Sequence, residues 1–208
     1  MDAFHMIWRT LKIWWEVWLA LWMFGLVWVL CWATIVLGPP ATFVFFQAVR
    51  HLMTNSEVKW DESLRAARES LLTSWLWFAA NLLMLFAVFA NYVFYGRLAN
   101  SAGSVLQFMA LLVGFAWVAV QFYALPYYVL LEKKSLLTAW KNGLLTLLAS
   151  PVFSLILWLV LAPLIALHIF IVPVFLAVPG LVILLASMAV EDRVQKFRIR
   201  ERDAPQNG

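Results

Sequence analysis

Few side chains in this sequence have the type and spacing that catalysis requires. The chain contains no glycine-rich phosphate loop, no HExxH or CxxC pattern and no serine in a nucleophile elbow. Hydrolysis within a membrane would need paired acids, or a serine with a histidine or lysine, inside the apolar segments, and these segments lack such sets. We therefore predict a protein that is not an enzyme and that uses no cofactor and no metal.

The polar side chains of most interest are four amides within long apolar stretches, Asn81, Asn91, Gln107 and Gln121. An amide in lipid is costly unless another helix satisfies its hydrogen bonds. We expect both asparagines to face the interior of a helix bundle, with the two glutamines as candidate partners. Two interpretations stay open, because the amides could pair between packed helices or could line a path for a solute.

A tryptophan stripe marks the first apolar segment. Trp15, Trp18 and Trp22 follow helical spacing and predict one aromatic face. Such a face can stack on sugar rings, but it more often packs against neighbouring helices or lipid. Both interpretations are retained, and packing is preferred.

Three isolated residues carry weaker signals. Glu16 is four residues from Lys12, and we interpret the two as a compensated pair at the membrane surface, with an intramembrane proton or cation site as the alternative. Cys31 is the single cysteine and is interpreted as packing. His168 is expected in a turn without a nearby acid, cysteine or second histidine, so it is not predicted to bind a metal.

The elements that position these residues are membrane helices. Of the 208 residues, 65% are hydrophobic and 12% are charged, against about 25% charged in an ordinary soluble domain. Residues 13–38 are long enough to cross a hydrocarbon core of roughly 30 Å. We predict an all-α, polytopic membrane helical bundle in residues 1–190 and a charged cytoplasmic tail in residues 191–208. The first span lacks a cleavage pattern and is expected to stay attached.

About five transmembrane helices are predicted, near residues 13–38, 72–95, 105–131, 150–167 and 173–190. Gly38, Pro39 and Pro40 are expected to form a turn or hinge, because proline removes a backbone donor and restricts the residue before it. Pro126 is expected to kink or end the third span. Residues 41–53 are predicted as a half-buried or interfacial helix. Residues 59–73 and 132–150 are predicted as amphipathic surface helices.

Basic residues indicate the orientation of the bundle. If residues 39–72, residues 132–149 and the tail share one side, only Arg9, Lys12 and Arg97 of the 15 lysines and arginines lie elsewhere. The C-terminus is therefore predicted to be cytoplasmic. Five spans place the N-terminus outside, whereas a sixth crossing through residues 41–53 would place it inside. The charge count favours six crossings, the short apolar length favours five, and we adopt five.

Three segments resemble the YesL-like family of bacterial integral membrane proteins, a family of unknown biochemical function. They are VLGPPATFVFFQAVRHL, WDESLRAARESLLTSW and ALPYYVLLEKKSLLTAWKNGLLTLL, and the similarity covers nearly the whole chain. The turn of Gly38, Pro39, Ala41 and Thr42 is its main motif. The resemblance implies a multi-pass protein of the bacterial plasma membrane, encoded beside sugar-uptake transporters and enzymes that degrade plant polysaccharides.

Two functions of different classes follow from these observations. The first is a non-catalytic accessory or regulatory component of carbohydrate uptake, whose basic cytoplasmic helices dock sugar transporter subunits or anionic lipid. The alternative is a small transporter or channel in its own right, with the four amides and the tryptophan face along its path. The net charge of +4 lies beside apolar spans, so binding to nucleic acid is not predicted.

Overall fold

The computed structural model describes residues 3–55, 60–98, 100–170 and 172–203. All regular elements within these ranges are helices, which confirms the predicted all-α class. The helices are α1 (Ala3–Ala33), α2 (Gly38–Asn55), α3 (Trp60–Glu69), α4 (Leu71–Gly96), α5 (Ser101–Leu130), α6 (Leu136–Ala149), α7 (Pro151–Phe170) and α8 (Val172–Asp203).

Three of the described helices, α1, α4 and α5, are each long and apolar enough to cross a membrane. Helices α6 and α7 meet that condition only together, and they are bent by 100° at the break between them. Side chains along α4 and the first half of α5 are largely exposed. Long apolar helices with exposed apolar side chains indicate a membrane protein, because only a lipid environment makes such surfaces favourable.

Helix α2 lies at the centre of the bundle, where it contacts α1, α3, α4, α5 and α8. Val49 is fully inaccessible and Phe45 is 1% exposed. The helix predicted for residues 41–53 is present, with its side chains buried or partly buried by other helices. Its half-buried or interfacial position in the membrane stays a prediction. The guanidinium of Arg50, near the polar end of α2, has a hydrogen-bond partner inside the bundle, because its Nη1 donates to the carbonyl oxygen of Val129 at the end of α5.

The turn between α1 and α2 precedes the residues that were predicted to form it. It occupies residues 34–37, where Ile35 adopts a left-handed φ of 60°. Gly38, Pro39 and Pro40 instead begin α2. A proline in the first turn of a helix sacrifices no hydrogen bond, since the first N–H groups have no partner within the helix. The predicted hinge at these three residues is therefore wrong by a few positions.

Pro126 lies within α5, which continues to Leu130. The proline is buried among the other helices. A proline removes one helical donor, yet neighbouring packing can hold the helix on both sides of it. The third apolar helix therefore does not end at this proline.

Helices α7 and α8 begin close to the predicted starts of the last two spans, at residues 150 and 173. They pack against each other. The turn predicted near residues 168–173 includes position 171. That position and the side chain of His168 lie outside the described residues.

Helix α8 continues to Asp203, so the charged stretch after residue 190 extends a helix over the residues described. It runs antiparallel to α1. Gly180 approaches Leu21, and Met188 lines a small cleft together with Met6. The amino end of α1 and the charged end of α8 therefore lie at the same end of the bundle, whereas an arrangement with five crossings would separate them.

Candidate functional site

The most polar contact between the apolar helices is an indole–amide cluster formed by Trp77, Asn81, Trp117, Gln121 and Trp140. Oε1 of Gln121 accepts hydrogen bonds from the indole N–H groups of Trp77 at 2.9 Å and Trp140 at 3.2 Å. Oδ1 of Asn81 accepts the indole N–H of Trp117 at 3.0 Å. The rings of Trp117 and Trp140 lie 5.7 Å apart. The cluster joins α4, α5 and α6.

Helical spacing explains how the indole–amide cluster forms. Trp77 and Asn81 are one turn apart on α4, and Trp117 and Gln121 are one turn apart on α5. Because α4 and α5 run antiparallel, Trp77 meets Gln121 and Asn81 meets Trp117. Nδ2 of Asn81 donates back to the carbonyl oxygen of Trp77 at 2.8 Å. The amides thus pair with indoles, and the predicted pairing of asparagine with glutamine is wrong for these two.

The other two amides lie toward the tip of the α4–α5 pair. Asn91 is exposed, and its Nδ2 donates to the carbonyl oxygen of Ala87 in its own helix at 2.7 Å. Gln107 donates to the carbonyl oxygen of Tyr92 at 3.2 Å and so bridges α5 to α4. The predicted interior position is therefore correct for Asn81 and wrong for Asn91. The four amides do not converge on one cavity.

The predicted aromatic face on α1 points outward. Trp15 is 72% exposed and Trp18 is 45% exposed, while Trp22 is partly buried. The backbone at Val17 departs from helical values, with φ −112° and ψ 15°, so the stripe does not continue as one straight face. Its position favours contact with lipid over a binding surface.

Trp28 and Trp32, which follow the predicted aromatic face on α1, form a second cluster, here called the Thr42 cluster. The indole N–H groups of Trp28 and Trp32 donate to Oγ1 of Thr42 at 3.0 and 3.2 Å, and that hydroxyl donates to the carbonyl oxygen of Gly38 at 3.0 Å. A Cβ at Gly38 would lie 2.6 Å from Cδ2 of Trp32. Only glycine fits there. The i, i+4 spacing of the two indoles was the available signal.

The predicted ion pair between Lys12 and Glu16 does not form. Both side chains are exposed. The ammonium of Lys12 lies 5.8 Å from the centre of the Trp8 ring instead. A cation over an indole at an exposed site contributes about 0.5–1 kcal/mol. Cys31 is partly buried and free, as the packing interpretation predicts.

A cationic pair, defined as Arg50 and Lys134, meets the carboxyl end of α5. Nη1 of Arg50 and Nζ of Lys134 donate to the same carbonyl oxygen, that of Val129, and the lysine distance is 2.6 Å. Lys134 also donates to the carbonyl oxygen of Tyr128 at 3.2 Å. Burial lowers the pKa of Lys134, and the nearby charge of Arg50 lowers it further. The sequence analysis missed this pair because its members are 84 positions apart in the numbering.

Two clefts lie on either side of Val129. One has a volume of about 180 Å³ and includes Arg50 and Glu191 among its lining residues. The other has a volume of about 310 Å³ and includes Lys134 and Glu69. Val129 lines both clefts, and Glu191, in the charged part of α8, lines the first.

A buried arginine links α8 to the bend between α6 and α7. Arg193 is 8% exposed and its guanidinium lies 3.8 Å from the centre of the Phe153 ring. It donates to Oδ2 of Asp192 at 2.7 Å and to Oγ of Ser150 at 3.3 Å. Ser150 is the residue at which the chain bends, so this contact stabilises the bend.

These clusters hold helices together, and within the described residues no group of three His, Cys, Asp or Glu side chains gathers to hold a metal ion. Comparisons with family models, curated proteins and solved structures give no significant match to this chain. Its function is therefore inferred from its own residues and contacts.

Proposed function

We propose that this protein is a non-catalytic, multi-pass membrane protein that supports or regulates carbohydrate uptake in the bacterial plasma membrane. The observation that carries the proposal is the pairing of Asn81 and Gln121 with indoles between packed helices. A protein that conducts a solute needs such groups around a continuous path. The proposal that the solute is a carbohydrate rests on the resemblance to YesL-like proteins, and no contact within the bundle supports it.

For the topology we propose six crossings, made by α1, α2, α4, α5, α7 and α8, with both termini in the cytoplasm. Helices α1 and α2 run antiparallel, because Trp28 meets Thr42 and Phe24 stacks on Phe45 at 5.8 Å. The 18 residues of α2 extend about 27 Å at 1.5 Å per residue, close to the thickness of a hydrocarbon core. This arrangement leaves Arg97 as the one basic residue outside, in agreement with the charge rule.

The surface that would meet a partner is cytoplasmic in this arrangement. It comprises α3, α6 and the charged end of α8, which carry most of the lysines and arginines. Arg65 and Arg68 on α3 and Lys141 on α6 are exposed. Exposed cations at that level suit anionic lipid or acidic patches on transporter subunits.

The second candidate function is a small transporter or channel in its own right. The bend of 100° between α6 and α7 favours it, because broken helices are common at transport sites. The amides argue against it, since Asn81 and Gln121 are bonded between helices and Asn91 faces outward.

A pulldown of the tagged protein from its native host in mild detergent, followed by mass spectrometry, tests the first proposal. We expect sugar-transporter subunits to co-purify in a fixed ratio. The control is a variant in which Arg65, Arg68 and Lys141 are replaced by Gln, which should lose the partner while the protein itself stays in the membrane. Recovery of the wild-type protein alone would contradict the accessory role.

Flux in proteoliposomes tests the transporter alternative. If the protein conducts sugars or small ions, replacing Asn81 and Gln121 with Leu should abolish the flux. Asn91→Leu is the matched control, because that amide bonds only within its own helix among the described contacts. We expect no flux above that of empty liposomes from any of these proteins.

A further inference from the structure

We propose that Arg50 and Lys134 form a binding site for a phosphate group at the cytoplasmic end of the bundle. The phosphate belongs either to an anionic lipid headgroup or to a soluble phosphate compound, since the recognising chemistry is the same. The inference rests on the topology proposed above, which places the pair at headgroup level. It does not rest on the role in carbohydrate uptake.

The first support is the convergence of two cations on one atom. The carbonyl oxygen of Val129 accepts from both Arg50 and Lys134. The carboxyl end of a helix favours one cation, because its last carbonyl groups carry partial negative charge. A second cation on the same oxygen adds repulsion between like charges, which a bound anion would relieve.

The second support is the absence of a carboxylate partner for either cation among the described residues. The described ion pairs join His51 with Glu62, and Asp192 with Arg193 and Lys196. Arg50 is partly buried and Lys134 is exposed, and a partly buried charge is normally paired, because removing it from water is costly. Arg50 therefore lacks the counter-charge that its burial calls for.

The third support is the number of hydrogen-bond donors left over. A guanidinium has five N–H donors and an ammonium has three. The described bonds of Arg50 use one of its nitrogen atoms, Nη1, and Lys134 bonds to two carbonyl oxygens. A phosphate group has several acceptor oxygens and is bound well by an arginine fork together with a lysine.

Each cation also lines a cleft of its own, and each cleft holds further hydrogen-bond donors. The larger cleft, of about 310 Å³, includes Gln47, Thr73 and Lys134 in its wall. The smaller one places Arg50 beside Ser187. Glu69 and Glu191 also line the clefts and oppose an anion of high charge. A singly charged phosphodiester, as in phosphatidylglycerol, fits this balance better than a dianion.

The experiment uses the full-length protein in nanodiscs and in detergent. Native mass spectrometry counts the lipids retained from nanodiscs of phosphatidylcholine with and without phosphatidylglycerol. Thermal unfolding in detergent with increasing inorganic phosphate tests the soluble source. We expect Lys134→Gln to bind the anion about tenfold more weakly, the loss of one charge-assisted hydrogen bond.

The matched control is Lys133→Gln, which removes the same charge from an exposed neighbour and should leave binding unchanged. Arg50→Lys keeps the charge but loses the planar fork, so it should weaken binding without abolishing it. The melting temperature of each variant without anion shows whether it folds. If Lys134→Gln does not fold, the anion binding of Arg50→Lys is compared with that of the wild type instead.

Retention of phosphatidylglycerol that depends on Lys134 supports a lipid site, and stabilisation by inorganic phosphate that depends on Lys134 supports a soluble ligand. If Lys133→Gln weakened anion binding as much as Lys134→Gln does, the proposal would be overturned, because the effect would then come from the general surface charge. The proposal would also be overturned if Lys134→Gln and Arg50→Lys both bound the two anions as well as the wild type does. The two cations would then serve only to cap the carboxyl end of α5. The pulldown result would stand in either case.

Discussion

Helix α2 differs from the outer hairpin in how polarity relates to burial. The outer hairpin is defined as residues 82–117, which belong to α4, α5 and the turn between them. Helix α2 carries Gln47, Arg50 and His51, yet it is packed on most sides, and Val49 is fully inaccessible. The outer hairpin is mostly apolar, yet Phe86 is 67% exposed. In water an apolar element of this length would be buried.

Hydropathy in this chain therefore reports contact with lipid and not depth in the protein. Lipid tails are as apolar as a leucine side chain, so an apolar face gains little by turning inward. What holds the bundle together is close packing and hydrogen bonds that lipid cannot replace. Those bonds include the ones in the indole–amide cluster, the Thr42 cluster and the cationic pair, and the buried hydroxyl pairs Tyr123–Ser154 and Tyr127–Thr146.

The sharpest contrast should come from truncating one phenylalanine in each region. Phe45→Ala removes a ring that is 1% exposed and stacked on Phe24, so we expect it to reduce the free energy of unfolding by about 3–5 kcal/mol. Phe86→Ala removes a ring exposed to lipid and should change it by less than about 0.5 kcal/mol. Thermal unfolding in one detergent measures both, and equal effects would contradict the contrast.

The Thr42 cluster should be the next most sensitive feature. Thr42→Val keeps the shape of the side chain but removes the acceptor of two indole N–H groups. We expect a loss of about 2 kcal/mol, because unsatisfied buried donors cost about 1–3 kcal/mol each and some relaxation occurs. Thr42→Ser retains the hydroxyl and is the control. A loss in the serine variant as large as in the valine variant would show that packing, not the hydroxyl, matters.

The indole–amide cluster should contribute less, because its acceptor Gln121 is only partly buried whereas Thr42 is buried, and hydrogen bonds within membrane proteins average about 0.6 kcal/mol. Gln121→Leu removes the acceptor shared by Trp77 and Trp140, and we expect a loss of about 1 kcal/mol with a change in tryptophan fluorescence. Asn91→Leu in the outer hairpin should be neutral or slightly stabilising. If the Asn91 variant were the more damaging, that residue would have a partner outside this chain.

The smallest effect should be a pH dependence of stability caused by Lys134. Its pKa in the folded protein is lowered by burial and by Arg50. As the pH rises through this lowered pKa, the folded state loses its proton before the unfolded state does. The unfolded state then binds more protons, so stability rises with pH until the ordinary lysine pKa of 10.5 is passed. Thermal unfolding in phosphate-free buffer should show no such rise of stability with pH in Lys134→Gln. If the rise persists in the variant, it is caused by another group.

The sequence predicted the fold class and the starts of most apolar helices because lipid-facing helices are read directly from hydropathy. It did not predict how closely α2 is packed by other helices, because Arg50 and His51 interrupt the apolar run and the acceptor of Arg50 lies in another helix. The turn was shifted because proline is compatible both with a break and with a first helical turn.

The candidate site was predicted only in part. Asn81 and Gln121 were identified because an amide in a span is conspicuous, but their partners were not, since an indole in a span is read as apolar. The cationic pair escaped notice because it depends on the end of α5 meeting the end of α2. Long-range pairings of this kind leave no periodic signal in the sequence.

The burial of α2 also has a consequence for biosynthesis. The carbonyl oxygen that Arg50 contacts lies 79 residues further along the chain. When α2 leaves the ribosome, the acceptor for its guanidinium has not yet been made. The contact of Arg50 therefore forms only after α5 has been made, whereas the hydrogen bonds of Trp28 and Trp32 to Thr42 join residues that are close in sequence.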